Sequence, residues 1–185
     1  MQLDPSVTWR DLEARLARTT NPRHRKMLQT AIDHGRSEHH ADLDAVMATL
    51  CPQPRFHFWA DGQARVIEGW EDTEAYYADL CASGTSYFES EKVRIVLDDD
   101  NLVTECVYRM IVPGEAALAR GFPVPDPDGH YLIHTRAVIF WPFDEAGELI
   151  GEDVYPTTDT SRFERVPDEE LPQEYVALLR SLSKL

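Results

Sequence analysis

The sequence predicts an α+β fold: a curved antiparallel sheet wrapped around N-terminal helices to form a cone with an internal pocket. Three observations carry this. As far as about Ala82, several segments space their apolar residues three and four apart, the period of amphipathic helices. From Ser86 onward the apolar period falls to two, the period of strands with one buried face. The run HYLIHTRAVIFWPFDEAGELIGEDVY (His130 to Tyr155) then reads as two long strands joined by a short turn. Helices followed by four or five strands in succession imply helices covering one face of a strongly bent sheet, which leaves a conical hollow.

The elements follow in order. Thr8 caps a first helix with Asp11 as its box partner, and Trp9, Leu12 and Leu16 share a face. Asn21-Pro22 opens a second, with asparagine as cap and proline in the first turn. In it Met27, Ala31, His34 and Glu38 form a narrow stripe beside Leu28, Ile32 and Gly35. Asp42 caps a short helix from Leu43 to Leu50, stopped by Pro52. RFHFWADG is a short strand with its return through Val66 and Ile67. Gly69 introduces a helix from about Glu71 to Ala82, with Tyr76, Tyr77 and Leu80 inward and Gly84 as its stop.

Tyr87 to Leu97 alternates, with Val93, Ile95 and Leu97 on one side, and Asp98 to Asn101 is an acidic turn. Leu102 to Val112 sets Thr104, Cys106, Tyr108 and Met110 on one face. Pro113 to Gly129, with Pro123, Pro125 and Pro127, is a long connection or flap. In the main hairpin Ile133, Thr135, Ala137, Ile139 and Trp141 form the apolar face, and Gly147 supplies the turn. Thr157 to Arg165 is irregular, and a tail helix from about Leu171 to Leu182 follows. No linker divides the 185 residues, which are enough for one sizeable core.

A formal net charge of −15 repels phosphate backbones and anionic lipid, so neither nucleic acid nor a membrane surface is an expected partner. Three cysteines without metal-ligand spacing suit a reduced, cytoplasmic setting. The first residues show no basic-then-apolar signal, and no apolar run approaches the ~20 residues of a membrane helix.

His34 and Glu38, four apart on one helix, suit an acid–base pair or two metal ligands. Without an H-E-x-x-H pattern no metal is expected, and no cofactor is implied. The bland alternative is a surface ion pair or a hydrogen-bonded core histidine. Glu152, bracketed by Ile150 and Val154, is a carboxyl in an apolar hollow and a candidate general acid or base. Its alternative is an edge carboxylate paired with Arg136 or Arg109. Tyr108 is a wall residue and hydrogen-bond donor. Tyr77, Trp59, Thr135, Ile139, Tyr155 and His134 are the candidate substrate contacts, His134 only if the strand register slips by one.

The helix at 24–38, ADLDAVMATL, a strand, GWEDTEAYYADL, three antiparallel strands and FDEAGELIGEDVY together resemble the nuclear transport factor 2-like superfamily, over about Pro22 to Thr160. Within it they look like the SnoaL-like polyketide cyclases and ketosteroid isomerases. The resemblance implies one SnoaL-like domain over 1–185, with a helical extension at 1–21 and a tail helix at 168–185. It puts His34 at the position similar to the isomerase's oxyanion-binding tyrosine. It puts Ile139 where the isomerase has its protonated aspartic acid, and Phe58 or Trp59 at its aspartate base, so two of three isomerase groups are apolar here. The same placement points Glu152, Tyr108, Thr135 and Trp59 into the cone. His134 and Arg136 then face outward, where relatives commonly dimerise through the sheet.

The expected function is therefore a cofactor-independent acid–base enzyme on a hydrophobic small molecule, catalysing isomerisation, cyclisation, dehydration, aldol-type lyase chemistry or epoxide opening. The alternative is a non-catalytic ligand-binding protein or the small subunit of a ring-hydroxylating oxygenase. Arg25 to Leu50 lacks the acidic-leucine patch and tryptophan expected of the latter.

Overall fold

The computed structural model describes residues 3–60, 62–158 and 163–182. The middle of the irregular stretch expected after Thr157, the loop residue Asp61 and both chain ends lie outside these.

The helices come first: α1 (Val7–Ala17), α2 (Pro22–His39) and α3 (Leu43–Met47). The Asn21 side chain accepts hydrogen bonds from the backbone N–H groups of Arg23 and His24, and Asp42 accepts from that of Ala45, as their capping chemistry predicts. Thr8 is not a cap. It lies inside α1, and its hydroxyl accepts the Ser90 backbone N–H at 3.1 Å, tying the helix to the sheet. The hairpin β1 (Arg55–Ala60) and β2 (Gln63–Glu68) leads into α4 (Trp70–Ala82). Then come β3 (Phe88–Leu97), β4 (Asn101–Pro113), a short helix α5 (Gly114–Ala119) within the proline-rich connection, β5 (His130–Pro142), β6 (Asp153–Thr158), β7 (Glu164–Val166) and α6 (Gln173–Leu182).

Among the described residues seven strands form one sheet in the order β2-β1-β6-β5-β4-β3, with β7 on the first residues of β5. Every pairing is antiparallel except β1 with β6, where His57 and Phe58 lie beside Asp153 and Val154 in parallel. That junction is tight. A Cβ at Gly151 would fall 1.8 Å from the Arg55 carbonyl oxygen, so only glycine fits there. A bulge at Val93, between the pairs Lys92–Cys106 and Arg94–Glu105, bends β3.

The inner face of the sheet packs on α2, α3 and α4 through Met27, Leu28, Ile32, Phe56, Leu102, Ile139 and Trp141. At one end of the outer face Ile111 and Leu132 are covered by Val166 and by Tyr175 of α6. Among the described residues no helix covers the rest of that face, where Phe140 and Tyr155 are exposed. None of the described helices is long and apolar enough to cross a membrane, and the three cysteines are free thiols.

Candidate active site

The inner face does not fill solid. Between it, α2, α4 and the α5 connection lies a cavity of about 440 Å³, a normal size for a small-molecule site. Its walls are chiefly apolar: Phe58, Tyr76, Leu80, Phe88, Met110, Ala137, Ile139 and Val154. Glu38, Glu152, Tyr108 and Thr135 bring polar atoms into it.

His34 lies one layer behind this wall, fully buried. The rings of Tyr77 and Trp141 meet it edge-on at 5.6 and 6.0 Å. Its hydrogen bonds place a proton on Nδ1. The Thr49 hydroxyl donates to the Val46 carbonyl at 2.6 Å, so Thr49 Oγ1 accepts from His34 Nδ1 at 2.7 Å. In the neutral ring Nε2 then carries the lone pair and accepts from the Tyr77 hydroxyl at 2.9 Å. From the same Nε2, a carboxyl oxygen of Glu38 is 3.7 Å away and one of Glu152 is 3.6 Å away. A shift of about half an ångström would bring either into hydrogen-bond range.

The two carboxyls differ in environment. Glu152 is 8 % exposed. Burial first, and then the negative charge of Glu38, hold its carboxyl well above the usual carboxylate range, with Lys92 pulling weakly the other way. Burial and this neighbour thus both favour the protonated form of Glu152. Tyr108 stays a neutral donor, because burial pushes its hydroxyl well above the ordinary tyrosine value while a hydrogen bond to Ser90 acts weakly against this. Unbroken alternation would put Val93 inward, but the bulge turns Lys92 inward instead. Before the bulge Phe88, Ser90 and Lys92 share the inner face; after it Ile95 and Leu97 do, and Val93 itself is exposed. The Lys92 ammonium donates to the Ser90 carbonyl and hydroxyl at 3.0 Å each, and burial lowers its pKa.

Of the residues proposed from sequence, the fold brings His34, Glu38, Glu152, Tyr108, Tyr77, Thr135 and Ile139 together, with His34 and Tyr77 behind the cavity wall. The expected contacts of Trp59 and Tyr155 are corrected, and without a register slip the conditional one of His134 does not arise. In β1 the fully buried residue is Phe56, so alternation turns Phe58 inward and Trp59 outward. Trp59, 38 % exposed, stacks instead on Tyr155, 44 % exposed, on the outer face. His134 pairs with Arg109 in register and also faces out, because Ile133 and Thr135 take the inner face. Glu152 pairs with neither Arg109, which bonds Glu89, nor Arg136, which bonds Glu105.

The donor atoms of His34, Glu38 and Glu152 lie within 4.8 Å of one another, compact enough to hold a divalent cation. A cation there would have to displace the Tyr77 hydroxyl from the Nε2 lone pair and the proton from Glu152.

No protein-family model matches the sequence, and no curated protein matches it. Solved structures do match in shape. One described as a SnoaL-like polyketide cyclase from Shewanella denitrificans OS-217 is 14% identical, with a TM-score of 0.57 over 74% of this chain and 92% of that one. Another so described, from Jannaschia sp. CCS1, is 18% identical, with a TM-score of 0.56 over 75% and 90%. The epoxide hydrolase/cyclase-like enzyme SalBIII, of pyran ring formation in the polyether salinomycin, is 13% identical, with a TM-score of 0.53 over 76% and 96%. These likenesses give the chain a nuclear transport factor 2-like cone fold.

Proposed function

We propose that this cone-shaped protein is a cofactor-independent enzyme that moves protons on a hydrophobic small molecule. The observation that carries the reading is the pair of unlike carboxyls, Glu38 and Glu152, facing an apolar cavity with His34 Nε2 within 3.7 Å of both. Glu38, the charged member, acts as general base. It removes a proton from a carbon beside a carbonyl or from a nucleophilic hydroxyl. Glu152, the protonated member, donates to the oxygen that gains charge or departs, and Tyr108 donates a hydrogen bond to the same region. After one turnover Glu38 holds the proton that Glu152 has lost. His34 Nε2, within 3.7 Å of both, carries it back once the Tyr77 hydroxyl turns away from its lone pair, which balances the cycle without a cofactor. That SalBIII is an epoxide hydrolase/cyclase-like enzyme on this fold supports the same class of step.

The experiment is a screen of epoxides, β-hydroxy ketones and enones with wild type, Glu152→Gln and His34→Ala. Wild type converts at least one class, and each variant loses at least about 10²-fold in rate, the contribution of a positioned acid or base. Unchanged rates in both variants would refute the assignment, and binding without conversion would favour a ligand-binding protein. Turnover that vanishes with a chelator and returns with added zinc would assign the trio to a metal instead.

We further propose that the protein self-associates through the open outer face. Trp59, Phe140 and Tyr155, each about two-fifths exposed, form a contiguous aromatic patch there. The free thiols support a reducing, cytoplasmic location.

A further inference from the structure

Two arginines stand at the open end of the cavity. Arg65 comes from β2, opposite Phe58 in the hairpin, and Arg120 follows the last turn of α5. Both line the same cavity as Glu38 and Glu152, and both also line the outer groove beside Leu80 and Asp79. They are exposed while Glu152 is buried, so the arginines mark the mouth and Glu152 the inner end.

This placement runs against the composition. The chain has 33 acidic residues to 18 basic ones, yet two of the basic ones share this mouth. Elsewhere Arg10, Arg23, Arg36, Arg109 and Arg136 each lie against a carboxylate. Among the described residues Arg65 and Arg120 do not. Arg120 donates to the Thr85 hydroxyl at 2.7 Å, and Arg65 lies over the Tyr76 ring at 5.6 Å. Asp79 shares the groove without forming an ion pair with either. The two guanidinium groups also feel each other: after burial, and against an opposing pull from Tyr76, the charge of Arg65 helps to lower the pKa of Arg120. An anion lying between them would relieve that repulsion and take up fork-shaped hydrogen bonds.

We propose that Arg65 and Arg120 form an anion-recognition rim, so that the substrate is an amphiphile with a carboxylate at one end and its reacting carbonyl or hydroxyl at the other. The carboxylate stays at the mouth, the apolar body lies between Phe58, Tyr76 and Phe122, and the reacting group meets Glu38 and Glu152. The inference takes from the proposed function where the chemistry occurs; the rim itself does not depend on that.

The test is calorimetric binding of 1-naphthylacetate and its neutral counterpart 1-naphthylacetamide. The acid is expected to bind wild type about tenfold tighter than the amide, equivalent to ~1.4 kcal/mol. In the Arg65→Gln/Arg120→Gln double variant the acid falls to the affinity of the amide. The affinity of the amide itself is unchanged, which shows that the cavity is intact. Equal binding of acid and amide to wild type, or a double variant that keeps the tenfold preference, would overturn the proposal. Glu152→Gln separates the two readings. Because binding is read without turnover, this variant keeps the preference for the acid even if its turnover shows the catalytic assignment to be wrong.

Discussion

Replacing Glu152 with glutamine removes one ionisable group from the cavity and leaves its size almost unchanged. The buried carboxyl holds its proton well above the usual carboxylate range, through burial first and the charge of Glu38 second. In the unfolded chain the same group ionises at its ordinary value. Between those two values the folded state binds a proton that the unfolded state has lost, so wild-type stability falls as pH rises. The fall begins above the ordinary glutamate pKa and ends once pH passes the raised folded value. For one proton its slope is at most about 1.4 kcal/mol per pH unit. Glu152→Gln lacks this contribution. Its stability advantage over wild type should therefore widen upward from about pH 5 at up to that slope, then level off. Each kcal/mol is worth roughly 2–4 °C in Tm for a chain of this size. Urea unfolding of both proteins across about pH 5 to pH 8 measures it. Stability profiles that run parallel would show that Glu152 ionises like an ordinary glutamate and would refute the reasoning.

Other expectations follow from the same geometry. His34→Ala opens a buried hole and strips the Thr49 and Tyr77 hydroxyls of a partner. It should cost about 2–4 kcal/mol in urea unfolding, whereas Tyr77→Phe should cost only about 1 kcal/mol. Gly151→Ala drives a methyl group into the Arg55 carbonyl. It should destabilise by roughly 3 kcal/mol or more, seen as a lower Tm, by separating β6 from β1. Phe140→Glu places a charge in the outer aromatic patch. Sedimentation should then report a smaller species than wild type, with the unfolding profile little changed.

Much of the fold was legible because its signals are local. Asn21-Pro22 marks the start of α2 by capping chemistry alone, and the spacing of Met27, Ala31 and His34 marks its buried stripe. The faces of β4 and β5 follow from strict alternation between few, unambiguous residues. The failures have physical causes. Phe56, Phe58 and Trp59 are all aromatic, so the hydrophobic pattern does not fix the phase of β1. A bulge such as that at Val93 has no signature residue, yet it turns Lys92 inward. Helix α5 hides in a stretch that prolines mark as loop. The site was only half visible for a related reason. His34, Glu38 and Glu152 announce themselves by spacing and by apolar neighbours. The Thr49 and Tyr77 hydroxyls that hold the histidine ring, and the Arg65–Arg120 rim, meet only through tertiary structure.

The measurement closest to the central claim follows the glutamate side-chain carboxyl carbons by ¹³C NMR through a pH titration. One resonance, absent in Glu152→Gln, should titrate well above the others and move back toward them in Glu38→Gln. If all glutamates titrate together in the ordinary range, Glu152 is no protonated acid beside Glu38 and the proposed chemistry falls with it.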